Sequence, residues 1–278
     1  VLAAAIAAAV ALIVSRSASG DGASSAATAA SGGPSASSAT TDRRRHQGTA
    51  ASRADRQEAA VMRYTPFIAN GTHRRRAIAL TFDDGPSPYT PEIIHVLLRM
   101  HVPATFFVVG QELHDFAGAL RSEIRHGFVI GDHTQNHAWL IRLGARGQVG
   151  QIGSVAHELE HDGAPAPRLF RPPYGAFNAV TMATLRRLRM LMVLWSIDPS
   201  DWRRPGTRAI VSNVLANSRP GAIVIMHDGG GDRSQTVAAL PAIINGLRKR
   251  HYGLVTVPRL LALDPPPRHQ RAPHLSGV

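Results

Sequence analysis

No cysteine occurs in the 278 residues, which excludes a disulfide framework, a thiolate metal site and a cysteine nucleophile. Any metal must therefore be held by His, Asp or Glu. Lysine is almost missing: Lys249 is the only one, and the rest of the 31 basic residues are arginines. That skew is better explained by codon bias than by a binding code. Aromatic residues make up 5% of the chain and nowhere interleave with a basic strand, so the sequence offers no platform for stacked bases. The net charge of +12 then points to an anionic cell surface rather than to nucleic acid.

Large apolar side chains are scarce from Ser17 to Ala60, a stretch rich in Ala, Ser and Gly with an Arg43-Arg44-Arg45 cluster. Such a segment cannot bury enough surface to fold and reads as a linker. Before it, Val1 to Val14 is unbroken apolar sequence, suited to the core of a signal peptide and short of the ~20 residues that span a bilayer. No initiator Met or basic stretch precedes it, so the chain is expected to begin inside that segment. The expected division is a signal peptide or membrane anchor at 1–16, a disordered linker at 17–73, a folded domain at 74–263 and a disordered tail at 264–278. An exported protein follows, secreted or anchored outside the cytoplasmic membrane.

From Arg74 the texture changes. Ile78, Leu80 and Phe82 alternate with Ala79 and Thr81, the period of a strand, and Gly85-Pro86-Ser87-Pro88 ends it. Thr90-Pro91-Glu92 supplies a helix N-cap, a proline at the first position and an acid in the first turn. Ala104–Gly110 reads as a second strand, Glu112–Arg125 as a second helix, and Phe128–His133 as a third strand. The apolar runs at 190–198, 221–228 and 253–257 continue the alternation. Strands and helices in turn over some 190 residues indicate a parallel sheet, open or closed into a barrel. Chemistry in such folds gathers at the carboxyl ends of the strands, and there stand Asp83-Asp84, His133, Asp198 and His227-Asp228.

Two adjacent aspartates at a strand end repel each other and lose hydration. A cation resolves the conflict. In "DHTQNH", His133 and His137 lie four apart, and on a helical turn both would face one ion. Two imidazoles and Asp84 make a three-ligand set that leaves room for water and substrate, and Asp83 stays free as a base. The stretch "HELEH", His157 to His161, matches the zinc-protease pattern. Neither its usual downstream histidine nor a later glutamate follows, so it reads as a solvated helix face.

Five ordered motifs, "TFDDGPSP", "HTQNH", "RPPYG", "DPSDWRRPG" and "IVIMHDGGG", resemble those of the polysaccharide deacetylases, the NodB-like carbohydrate esterases, over roughly residues 74–263. The resemblance implies a distorted (β/α) barrel of parallel strands with fewer than eight repeats. It implies Asp83 as general base and Asp84, His133 and His137 as metal ligands. Arg171 would orient the base, the Tyr174 backbone N–H would meet the oxyanion, and His227 would be the general acid supported by Asp201. Trp202 and Ile225 would shape the pocket. Asp132 stands where the family often has Asn, and a carboxylate there would either bond the His133 ring or add negative charge. "GGGDRSQT" after His227 reads as a rim loop.

The implied activity is removal of N-acetyl groups from an N-acetylhexosamine polymer, peptidoglycan or chitin-type, in the cell wall. The implied cofactor is a divalent metal, zinc first, with cobalt, manganese or nickel compatible. A monomer is expected, with no nucleic-acid partner. Two rivals stand beside this: an O-acetyl xylan esterase, and a non-catalytic wall-binding module.

Overall fold

The computed structural model describes residues 56–270. The expected signal or anchor at 1–16, the linker up to 55 and the last residues of the tail lie outside them. Among the described residues eight strands alternate with helices: β1 Phe67–Ile68, β2 Ala77–Asp83, β3 Thr105–Val108, β4 Val129–Asp132, β5 Leu169–Phe170, β6 Leu191–Val193, β7 Ile223–His227 and β8 Gly253–Val255. Their order is β1-β6-β5-β4-β3-β2-β7, with β8 also on β2. Every pairing is parallel. On one edge of β2, β8 pairs with Ala77–Ala79 and β3 takes over at Thr81–Asp83; β7 runs along the other edge. The chain beyond β6 covers the open edge of β7, where Ile197 bridges Val224 and Ile225 N–H donates to the Ile197 carbonyl at 3.0 Å. The sheet thus curls into a distorted barrel, as the family resemblance implied.

Alternation along β2 sorts side chains to two sides. Ile78, Leu80 and Phe82 enter the core shared with the surrounding helices. These are α2 Thr90–Arg99, α3 Gly110–Asp115, α4 Ala117–His126, α5 Ala145–His161, α7 Thr207–Ala216 and α8 Ser234–Lys249, while α6 Ala179–Leu188 packs Leu185 into a separate cluster with Phe170 and Met192. Phe82 stacks on Phe106 at 5.2 Å, and Phe106 meets Phe128 edge-on at 5.3 Å, contacts worth ~0.5–1.5 kcal/mol each beyond burial. Ala77 and Ala79 join the inner core with Phe107, Leu169, Leu191, Val193 and Ile223. Period two then puts Thr81 and Asp83 on that same inner face, aimed along the barrel toward its carboxyl end.

The folded part is longer than the expected 74–263. Residues 56–62 form a helix, α1, whose Val61 is fully buried beside Ile68 of β1 and Val257, Leu260 and Leu261 of α9, Val257–Leu263. Past 263, Asp264 is buried and accepts from the Thr72 hydroxyl, and the Gln270 side chain donates to the Phe67 carbonyl at 2.8 Å. These ends were too polar to betray a core, because only a few apolar side chains in each carry the docking. Two local readings also shift. The helix expected at 112–125 is two, α3 and α4, divided at Phe116. Thr90 is the first residue of α2 and not its cap. Its hydroxyl is spent elsewhere, accepting from Ser87 N–H at 2.8 Å and donating to Asp228 Oδ2 at 2.5 Å.

Asp228 shares a dry site with Glu123 of α4. Both are fully buried, and neither Glu123 oxygen nor Asp228 Oδ1 has a hydrogen-bond partner. Burial, then the Asp228 charge, push Glu123 well above the usual carboxylate range. Burial pushes Asp228 up to about 7, with Asp84 and Asp83 adding to it and the Thr90 hydroxyl opposing. Both folded-state values are raised, so the stability these acids contribute is full below their unfolded values and is lost as pH rises toward neutrality. Glu123→Gln removes one of the acids. Its melting temperature should fall less than the parent's between about pH 5 and pH 8; parallel pH profiles for the two proteins would contradict the buried-acid account.

Candidate active site

The carboxyl ends of β2 and β4 bring three ligands together. Asp84 Oδ1 lies 3.3 Å from His133 Nε2 and 3.2 Å from His137 Nε2, and all three donor atoms fall within 4.8 Å of one another. Yet Asp84 Oδ1, buried, makes no hydrogen bond to either ring. His133 Nδ1 lies 2.7 Å from the Arg171 carbonyl, which can only accept, so the proton sits on Nδ1 and the Nε2 lone pair faces Asp84. A carboxylate oxygen with no donor, opposite the His133 lone pair and 3.2 Å from His137 Nε2, fits a cation. His157 and His161 of "HELEH" are exposed on α5, and no such cluster includes them among the described residues.

The two histidines do not share a helical turn. From His133 to His137 the chain is an irregular loop with Thr134 and His137 in the left-handed region, φ 71 and 55. Asp84 (φ 71) and Tyr174 (φ 61) are left-handed as well. Such non-glycine residues cost ~1–3 kcal/mol each and persist where surroundings hold them. Here the holders are visible. Gly110 and Gln111 N–H donate to the Thr134 and Gln135 carbonyls at 3.1 and 2.8 Å, and Gln135 N–H reaches Gln151 O at 2.8 Å. The Gln135 amide donates to Glu158 at 2.9 Å, so the protease-like stretch supports this loop from α5. Asp132 does not reach the His133 ring; its Oδ1 accepts from Thr134 N–H at 2.7 Å. Burial raises Asp132 well above its usual range, with the Thr134 N–H opposing.

The second aspartate has a different partner. Arg171 Nη1 donates to Asp83 Oδ1 at 2.6 Å and to the Thr81 hydroxyl at 2.8 Å, while Nε donates to the Val193 carbonyl at 3.0 Å. Arg171 is 0% exposed and Asp83 1%, and the guanidinium lies 4.2 Å over the Phe107 ring. The free oxygen, Asp83 Oδ2, stands 3.8 Å from His133 Nε2. Asp83 is thus neutralised by Arg171 independently of Asp84.

At the end of β7, His227 Nδ1 meets Asp201 Oδ1 at 2.8 Å, and Asp201 Oδ2 accepts from His227 N–H and the Thr236 hydroxyl, both at 2.8 Å. Burial disfavours the charged ring, but Asp201, with Asp84 and Asp83 behind it, lifts His227 to about 9. Asp83, Asp84, His133, His137 and His227 line one cleft of about 600 Å³. Tyr174, Trp202 and Ile225 line it too, Tyr174 and Trp202 being 44% and 41% exposed. The glycine loop is more than a rim. A Cβ on Gly229 would strike the Asp84 carbonyl, and one on Gly230 (φ 71) would come 2.5 Å from Asp84 Oδ2. Buried Arg233 fixes the loop by donating to Gly229 O at 2.6 Å and Gly230 O at 2.8 Å.

A family model described as polysaccharide deacetylase matches residues 70–193. A peptidoglycan-N-acetylglucosamine deacetylase of Bacillus cereus is 39% identical over 202 residues, 68% of this chain and 90% of that protein. The chain belongs to the polysaccharide deacetylase family. A chitooligosaccharide deacetylase of Bradyrhizobium is 38% identical over 66% of this chain and 90% of its own. A solved peptidoglycan N-acetylglucosamine deacetylase superposes with a TM-score of 0.69 at 32% identity, covering 72% of this chain and 94% of that one. Membership makes this deacetylase a hydrolase of acetyl amides, in a family that is generally metal-dependent.

Residues to which the motifs gave no role complete this deacetylase's site. Thr81 was findable, because period two puts it on the face of Asp83. Trp139 and Trp195 line the cleft without a spacing that marks them, and Thr236 comes from α8, far along the chain. The buried Arg171–Asp83 pair gives the prediction of this section. Removing one partner of such a pair leaves a dry, uncompensated charge and costs ~3–5 kcal/mol. Arg171→Met should lose about that much unfolding free energy in urea; a loss under about 1 kcal/mol would mean Asp83 is not held as described.

Proposed function

We propose that this chain is a zinc-dependent N-deacetylase of an N-acetylhexosamine polymer, peptidoglycan or chitin-type. The observation that carries the reading is one cleft holding a three-ligand cation site, a carboxylate beside it and a histidine raised by its own acid. Asp84, His133 and His137 hold the ion, and their hard-and-borderline donor set suits zinc while admitting cobalt, manganese or nickel. A divalent cation held there would polarise the acetyl carbonyl and acidify bound water. Asp83, oriented by Arg171, takes a proton from the attacking water. The Tyr174 backbone N–H donates to the developing oxyanion, with the acetyl methyl against Ile225 and Trp202. As the C–N bond breaks, His227, kept protonated by Asp201, gives the leaving amine its proton. A C–O bond has replaced the C–N bond, and acetate and a free amine leave.

Relatives that act on peptidoglycan N-acetylglucosamine and on chitooligosaccharides support the polymer class. The same reading places the enzyme outside the cytoplasmic membrane at the wall, acting as a monomer on a domain that includes 56–270, with the apolar 1–16 as export signal or anchor. No helix among the described residues is long and apolar enough to cross a membrane.

Acetate release from acetylated glucosamine oligomers and acetylated xylan, with added metals, tests the reaction. Release only from the xylan ester would replace the amide reading, and none from either would favour a binding module. His137→Ala should lose both stoichiometric zinc and activity. Asp83→Asn should keep zinc and lose ~10²–10⁴-fold in rate; the reverse pattern, zinc lost here and kept in Asp84→Asn, would swap the two roles.

The pH profile separates the acid. The raised value of His227 comes from Asp201, so the falling limb of kcat/KM should lie above the ordinary imidazole value of ~6.5. Asp201→Asn should move that limb to lower pH with zinc affinity unchanged. An unmoved limb would remove His227 as the controlling acid.

A further inference from the structure

The two histidine ligands are held in different ways. A ring that binds a cation through Nε2 must keep its proton on Nδ1, and the group that accepts this proton fixes the ring's orientation and strengthens it as a donor. For His133 the acceptor is a buried backbone carbonyl, that of Arg171. His137 has no such anchor. Its backbone is left-handed (φ 55) and its side chain is 29% exposed, so neither helix geometry nor core packing aims the ring.

What does meet it is Tyr174. The Tyr174 hydroxyl lies 3.2 Å from His137 Nδ1, and the two rings pack edge to face at 4.6 Å. Tyr174 is itself placed from both sides of the chain. Pro172 and Pro173 lead into its left-handed turn (φ 61, ψ 6). Its ring stacks on Trp139 at 4.3 Å and 19°, and Arg142 lies 5.1 Å over that tryptophan. An exposed tyrosine is otherwise free to rotate into solvent, and this stack removes that freedom.

We infer that Tyr174 is a positioning residue for the cation: its hydroxyl accepts the Nδ1 proton of His137 and sets that ring toward Asp84, with Trp139 bracing it. This rests on the three-ligand reading above and is separate from the backbone N–H role given to the same residue. The motif "RPPYG" thereby serves both histidines, His133 through the Arg171 carbonyl and His137 through the Tyr174 side chain.

Tyr174→Phe keeps the backbone N–H, the ring and the stack, and removes only the hydroxyl. Zinc affinity of the full chain, measured by competition with a chelating dye, should weaken by ~10–100-fold, while the melting temperature of the zinc-free chain stays that of the parent. Affinity within about twofold of the parent, against that expected loss, overturns the inference, and a changed KM with unchanged affinity would make Tyr174 a sugar contact instead. A weaker affinity matched by a lower melting temperature without zinc also overturns it, since packing would then be the cause. His137→Ala is the control. If that variant keeps its zinc the three-ligand site itself is wrong, whereas zinc lost there and unaffected in Tyr174→Phe fells this inference alone.

Discussion

Arg171 carries its positive charge to a fully buried place, and the rest of the site is arranged around that fact. A guanidinium 0% exposed is tolerable only when its donors are spent, and here they go to Asp83, Thr81 and the carbonyls of Val193 and Leu194. Four strands are thereby tied at their carboxyl ends or just beyond: Thr81 and Asp83 from β2, Val193 from β6, and Arg171 from the chain after β5, which itself pairs with β4 through Arg171 N–H to the Asp132 carbonyl at 2.9 Å. The same residue's carbonyl sets the His133 ring. One buried arginine therefore fixes the orientation of Asp83 through its guanidinium and of the His133 ring through its carbonyl.

A low-dielectric site strengthens each of these charge pairs and punishes each one broken. His227 and Asp201 repeat the pattern on the other side of β2, where the strand β7 delivers the histidine and the Thr236 hydroxyl occupies the acid's second oxygen. The difference between the pairs is chemical. Arg171 does not release its proton, so its pairing can only neutralise Asp83. His227 can release its proton, so its pairing makes a donor. Two carboxylates with different cationic partners thus leave Asp83 and His227 in one cleft with different proton chemistry, the asymmetry that the proposed hydrolysis needs.

Backbone strain is the other resource. Asp84, Thr134, His137 and Tyr174 all sit in the left-handed region, and all border the cation site. Their cost is met by hydrogen bonds from α3 and α5 and by the glycine loop, whose lack of side chains lets it close over Asp84. The expected helical turn between the histidines failed because spacing alone cannot separate a helix face from a loop that brings the same two rings together. What mattered was convergence of the donor atoms, and a clasped loop achieves it as well as a helix.

The sequence by itself determined the strand-helix alternation, the inner facing of Asp83 and the motif residues, because period two and strand-end chemistry are local properties. Family resemblance then assigned those residues roles from ordered motifs alone. Only the tertiary structure decided what holds them. Thr236 reaches Asp201 across 35 residues and Glu158 reaches Gln135 across 23, and no periodicity records a contact between separate elements. The domain's edges were hidden for the same reason. Val61, Ile68 and Asp264 become core only when the barrel brings α1, β1 and the end of α9 to one place, and burial is a property of that assembly, not of the residue.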